Sequence, residues 1–157
     1  MVYEASRRGD HALIQPKQSR NAPSKQTRAP IRVPIPATIS HYVLNLPASA
    51  ITFLPCFRGL YAGKEELFTP YTKTELPLVH VHCFSAKAAD DTPLTDICQR
   101  LYEEIGERFR LGDATTAGEV SIYDVRDVAP GKRMFCASFR LPPKVAFAPR
   151  SSTEPSL

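Results

Sequence analysis

The amino-acid sequence predicts an α/β protein, organised as one half of a doubly wound sheet that ends in an antiparallel strand pair. Three observations predict it: a short apolar strand that stops at Asn45-Leu46-Pro47, a breaker-free run at 78–84, and an amphipathic helix over 93–105 that precedes two further strands. Strand and helix signals that alternate and then give way to two adjacent strands describe a mixed sheet. A complete doubly wound domain would carry more βα units, the first with a Gly-rich turn for a cofactor. No such pattern precedes Ser40.

The elements follow in order. Residues 40–46 read as the first strand, closed by Pro47, which cannot donate to a ladder and fixes φ for the turn. Residues 48–54 read as a short helix, with Ile51 and Leu54 on one side, that ends or kinks near Pro55. Residues 59–74 read as a loop. Leu78-Val79-His80-Val81-His82-Cys83-Phe84 has the composition of a buried parallel strand. Thr92 is placed to cap the next helix and Pro93 suits its first turn. Leu94, Ile97, Leu101 and Ile105 recur at helical spacing before Gly106 ends it. Residues 120–125 and 134–141 are two more strands, expected to pair antiparallel across a wide reversal over 126–133.

The 157 residues fit a single domain, and the first forty do not look able to join its core. Five prolines lie between Pro16 and Pro36, so residues 1–37 are expected as a disordered arm, 38–148 as a partial catalytic domain and 149–157 as a disordered tail. The formal net charge is +4, but it is unevenly placed: residues 1–32 hold seven Lys and Arg against Glu4 and Asp10. Such an arm suits a polyanion such as RNA, through counterion release, or serves as a solvated linker. Cys56, Cys83, Cys98 and Cys136 are spaced too irregularly for a zinc ribbon or a redox pair, and no signal peptide pattern precedes them. They are expected to be reduced and intracellular. No apolar run approaches the roughly 20 residues that span a bilayer.

Asn45-Leu46-Pro47 places an amide at the carboxyl edge of a sheet, where open α/β sheets bind ligands. By itself it is more readily the signature of an ordinary turn. His80 and His82 share a strand face at period two, yet Cys83 points the other way and no third ligand is evident, so no metal is expected. Glu103 and Glu104 fall on the outward side of the long helix. Arg126, Lys132 and Arg133 suit phosphate contacts, and an Arg126-Asp127 pair that braces the hairpin is the competing reading.

Three segments in order carry a specific resemblance: residues 41–51 around Asn45-Leu46-Pro47, residues 79–84, and residues 125–136 followed by Phe139-Arg140-Leu141-Pro142. Together they closely resemble the carboxyl-terminal half of the catalytic domain of eukaryotic tRNA (guanine-37-N1)-methyltransferases, the fungal members in particular, over about residues 33–150. The resemblance implies a Rossmann-like class I fold and methyl transfer from S-adenosylmethionine to N1 of the guanosine 3′ to the anticodon. It implies that Asn45 lies by the target base and that Asn45, Leu46 and Pro47 line the methionine end of the cofactor, with Arg126, Lys132 and Arg133 toward tRNA. It also implies a monomeric full-length protein of the cytoplasm, nucleus and mitochondrial matrix, without membrane or metal. The family's general base, a Glu, and an Arg lie upstream of the matched segment. The alternative is a catalytically inactive truncated product or a basic-armed RNA-binding module.

Overall fold

The structure, a computed structural model, describes residues 9–14, 29–86, 88 and 90–149. It divides into two units, residues 1–39 and 40–157.

The first unit corrects one expectation, because part of the arm is ordered. Strand β1 (His11–Ile14) pairs antiparallel with β2 (Ile31–Pro34), from His11 opposite Pro34 to Ile14 opposite Ile31. Ala12-Leu13-Ile14 and the β-branched Ile31 and Val33 that flank Arg32 supply the β propensity, and Pro34 is tolerated at a strand end where no ladder donor is needed. Every residue of the pair is exposed. Residues 1–8 and 15–28 of the expected arm, with Arg7, Arg8, Lys17, Arg20, Lys25 and Arg28, lie outside the described residues, as does the expected tail beyond Pro149.

The second unit is a five-stranded mixed sheet in the order β3-β4-β7-β6-β5. Strand β3 (His41–Leu44) pairs in parallel with β4 (Leu78–Ala86), His41 opposite Leu78 and Leu44 opposite Val81. Helix α1 (Thr92–Ile105) and the two-residue β5 (Arg110–Leu111) follow. Then come β6 (Glu119–Ala129), β7 (Lys132–Arg140) and the short turn of helix α2 (Pro143–Ala146). Strand β7 lies between β4 and β6 and is antiparallel to both.

One sheet face and the helices share a single apolar cluster. Val79, Val81 and Cys83 of β4, Phe135, Ala137 and Phe139 of β7, and Val120 of β6 meet Ile97, Leu101 and Ile105 of α1. Those α1 positions are three of the four in the predicted stripe, the fourth, Leu94, being half-buried while Pro93 is buried beside it, and Gly106 closes the helix at φ 78° with its N–H on the Tyr102 carbonyl. The cap differs from expectation: Asp91 takes that position and Thr92 begins the helix, its N–H held by Asp90 Oδ1 at 3.1 Å.

The segment after Pro47 is a 3-10 helix, Ala50–Phe57, which runs through Pro55 instead of stopping there. Three residues per turn place Ile51, Leu54 and Phe57 on one line, and all three are buried. The expected loop contains a further 3-10 turn, Glu65–Leu67.

The wide reversal is likewise corrected. Strands β6 and β7 continue to Ala129 and Lys132 and are joined by Pro130-Gly131 alone, with Gly131 at φ 71°. Proline at the first corner and a positive-φ glycine at the second satisfy a type II turn. Because that turn splays a hairpin, the register shifts at Asp124/Arg126 and Asp127/Ala129 supply the extra twist that keeps the strands paired. Strand β5, too short to show a period, was not anticipated.

Candidate functional site

The register brings the carboxyl ends of β3 and β4, the start of α1 and the tip of the β6-β7 hairpin to one edge of the sheet, since Ala86 lies opposite Lys132. Strand β3 is an edge strand, and it ends where the Leu46 carbonyl accepts both Ser49 N–H at 2.8 Å and Ala50 N–H at 2.7 Å. That turn leaves Asn45 exposed, with no hydrogen bond to its amide among the described residues, and Leu46 61% exposed beside it. Pro47 is half-buried. An uncommitted amide on a rigid strand end can accept or donate without first breaking a bond to its own protein.

The three cations assigned to RNA converge on the hairpin, but they are not equivalent. Arg133 is held by two carboxylates, Nη1 to Asp124 Oδ2 at 2.6 Å and Nε to Asp127 Oδ1 at 2.7 Å. The brace therefore runs through Arg133, not Arg126, and most of its charge is spent within the hairpin. The bulges bring both carboxylates to the same guanidinium. Lys132 sits with Nζ 4.3 Å above the Phe84 ring centroid, and Arg126 is exposed without an ion pair among the described residues. Continuing the β3 register puts Asn45 level with His82, three residues short of the Ser85-Arg133 pair and two strands away. With strand geometry the backbones of Asn45 and Arg133 are about 14 Å apart.

Below the edge, Arg100 of α1 donates to the Phe84 carbonyl at 2.8 Å and meets Asp96 at 3.1 Å, while Ser85 Oγ donates to Asp96 at 2.8 Å. These bonds tie the end of β4 to α1. An open recess beside the first turn of α1 is lined by Asp90, Asp91, Thr92, Thr95, Asp96 and Gln99, a surface that repels phosphate.

His80 and His82 lie on the sheet face away from the core, as their spacing requires, and the partner of His80 was not legible beforehand. His41 Nδ1 is 2.9 Å from His80 Nε2 with the rings stacked, and His80 Nδ1 is 2.8 Å from Ser138 Oγ. Only the cross-strand register reveals this chain of contacts. Burial, then His41 and His82, holds His80 below the ordinary histidine value. Among the described residues no three His, Cys, Asp or Glu side chains converge as a ligand set. Burial pushes the Cys83 thiol up to about 11 and raises Cys98 and Cys136, so these thiols are poor nucleophiles at neutral pH.

Comparison with known proteins gives the same reading as the motifs. The chain is 62% identical over 151 residues to the tRNA (guanine(37)-N(1))-methyltransferase of Fusarium vanettenii, covering 96% of this chain and 32% of that protein. The chain is homologous to fungal tRNA (guanine(37)-N(1))-methyltransferases. The protein of that name from Neurospora crassa is 56% identical over 149 residues, 95% of this chain and 31% of its own length. The one from Schizosaccharomyces pombe is 43% identical over 135 residues, 85% of this chain and 28% of its own length. The chain thus spans about a third of the methyltransferases it matches. No family model matches, and no solved structure does. No helix among the described residues is long and apolar enough to cross a membrane.

Proposed function

We propose that this chain forms part of a Rossmann-like, S-adenosylmethionine-dependent tRNA methyltransferase and contributes one wall of the site that methylates N1 of guanosine 37. The observation that carries this reading is the exposed, uncommitted Asn45 amide at the carboxyl edge of β3, in a segment homologous to enzymes of that name. A parallel pair followed by an antiparallel hairpin, with the helices on one face, is also the arrangement expected of half such a sheet.

The edge fits the methionine end of the cofactor: Asn45 offers an amide, Leu46 an exposed apolar side chain, and Pro47 a rigid turn behind them. When bound, S-adenosylmethionine supplies an electrophilic methyl group. Guanine N1 carries a proton near neutrality, so the reaction needs a base and a donor for the charge that grows on O6. Those two tasks belong to the portion of the family's sequence outside this chain. Asn45 orients the base or the methionine end, holding the reacting atoms in line. Arg126 and Lys132 face the tRNA backbone, and Arg133 shapes the hairpin that carries them.

The test uses this chain joined to the remaining portion of the Fusarium vanettenii relative. Asn45→Ala is expected to lower single-turnover methyl transfer by on the order of 100-fold. Transcript affinity should not change. An unchanged rate would reduce Asn45-Leu46-Pro47 to a turn.

A further inference from the structure

At the opposite edge of the sheet, where β7 ends and β6 begins, a recess of about 430 Å³ opens between the end of α1 and the start of α2. Its lining combines an apolar shelf, in which Phe109 and Pro142 take part above the buried Leu141, with the cations Arg108 and Lys144 and one carboxylate, Glu107. Arg140 also reaches it, but its charge is taken by Glu75 at 2.7 Å and its Nη1 by the Leu76 carbonyl at 2.7 Å. Arg108 and Lys144 are exposed, and neither meets a carboxylate among the described residues. The guanidinium of Arg108 lies 4.1 Å from the Tyr102 ring centroid, a contact with the ring face that spends none of its N–H donors. Phe109 is half-buried and is itself steadied by Phe139, ring centroids 4.6 Å apart.

We propose that this recess binds one nucleotide of the RNA substrate, its base against the Phe109 shelf and its phosphate between Arg108 and Lys144. The proposal rests on the tRNA-methyltransferase reading and adds to it a second RNA contact remote from Asn45. An aromatic shelf beside two uncommitted cations matches a planar base carrying an anion, the pairing by which unstacked nucleotides are held. The acidic recess at the start of α1 offers the reverse charge and fits no such ligand. From the register, Arg140 lies opposite Leu78, four residues from the level of Asn45 and two strands across. The two sites are therefore about 17 Å apart along the backbone, so a single large RNA can meet both.

The experiment measures binding of an unmodified tRNA transcript to the 157-residue chain by fluorescence anisotropy between 50 and 200 mM salt. The double variant Arg108→Gln/Lys144→Gln is expected to bind roughly tenfold more weakly. The slope of log affinity against log salt should become shallower by about 0.7, the value for one phosphate of a single strand. Glu107→Gln is expected to tighten binding by removing the one repulsive carboxylate. Ultraviolet crosslinking of the unsubstituted chain to the transcript should map to the peptide containing Phe109, a readout that needs no variant to fold. Affinity and slope unchanged in the double variant, or crosslinks that avoid that peptide, would overturn the proposal. The methyl-transfer assay on Asn45 is independent of those outcomes, so failure of the recess and failure of the methyltransferase reading are separate results.

Discussion

Truncating Phe139 should cost this fold more than any exposed change. The side chain is fully buried on β7, opposite Val79 of β4 and Val120 of β6, with the Phe109 ring against it. Among the described strands, β7 alone joins the β3-β4 pair to the β6-β5 end of the sheet, so a void there loosens both sides. Removal of a buried phenyl ring costs about 3 to 5 kcal/mol from lost transfer energy and residual cavity, part of it the aromatic pair. Domains of this size hold about 5 to 15 kcal/mol in total. With a urea dependence of about 1 to 3 kcal/mol per molar, Phe139→Ala should lower the denaturation midpoint by more than about 1 M, followed by circular dichroism. Phe139→Leu, which retains most of the volume, should lose less than half as much. A midpoint for Phe139→Ala within about 0.3 M of the unsubstituted chain would refute the assignment of Phe139 to the centre of a single cohesive core.

Two further outcomes follow from the hairpin and the histidine face. Gly131→Ala should lower stability by about 1 kcal/mol, since no atom lies near the added Cβ and the whole cost is the positive φ. Gly131→Asn should lose less, and urea midpoints equal to that of the unsubstituted chain for Ala would contradict the turn. The folded pKa of His80 lies below its unfolded value of 6.5, so the unfolded state binds more protons in that window. Stability is therefore complete above about pH 6.5 and declines as the pH falls through and below it; His80→Asn should flatten that part of a melting-temperature profile, and an unchanged slope would show that His80 is not its source.

Helix α1 and the strand β4 were legible because local periodicity reports burial directly. Leu94, Ile97, Leu101 and Ile105 can serve one face only as a helix, and a β-branched run without breakers has few other uses. The 3-10 form of Ala50–Phe57 could have been read from the three-residue spacing of Ile51, Leu54 and Phe57, had Pro55 not suggested an end. The β1-β2 pair was hidden because proline content outweighs two short runs with β-branched or apolar residues separated by 16 residues. What no local pattern contains is register. The double hold on Arg133 depends on bulges, and the His41-His80-Ser138 chain joins three strands. Asn45 was legible as a candidate because Pro47 announces the strand end. The recess around Phe109 was not, because its residues come from segments some 30 positions apart that only the fold brings together.

The most direct measurement is transfer of labelled methyl from S-adenosylmethionine to an unmodified tRNA transcript, comparing the 157-residue chain alone with the same chain joined to the remaining portion of its Fusarium vanettenii relative. Transfer to N1 of guanosine 37 is expected from the joined protein and none from the chain alone, which carries Asn45 but spans only about a third of the relatives it matches. Transfer by the chain alone at a rate comparable to the joined protein, or a joined protein that folds, binds the transcript and methylates a different position, would contradict it.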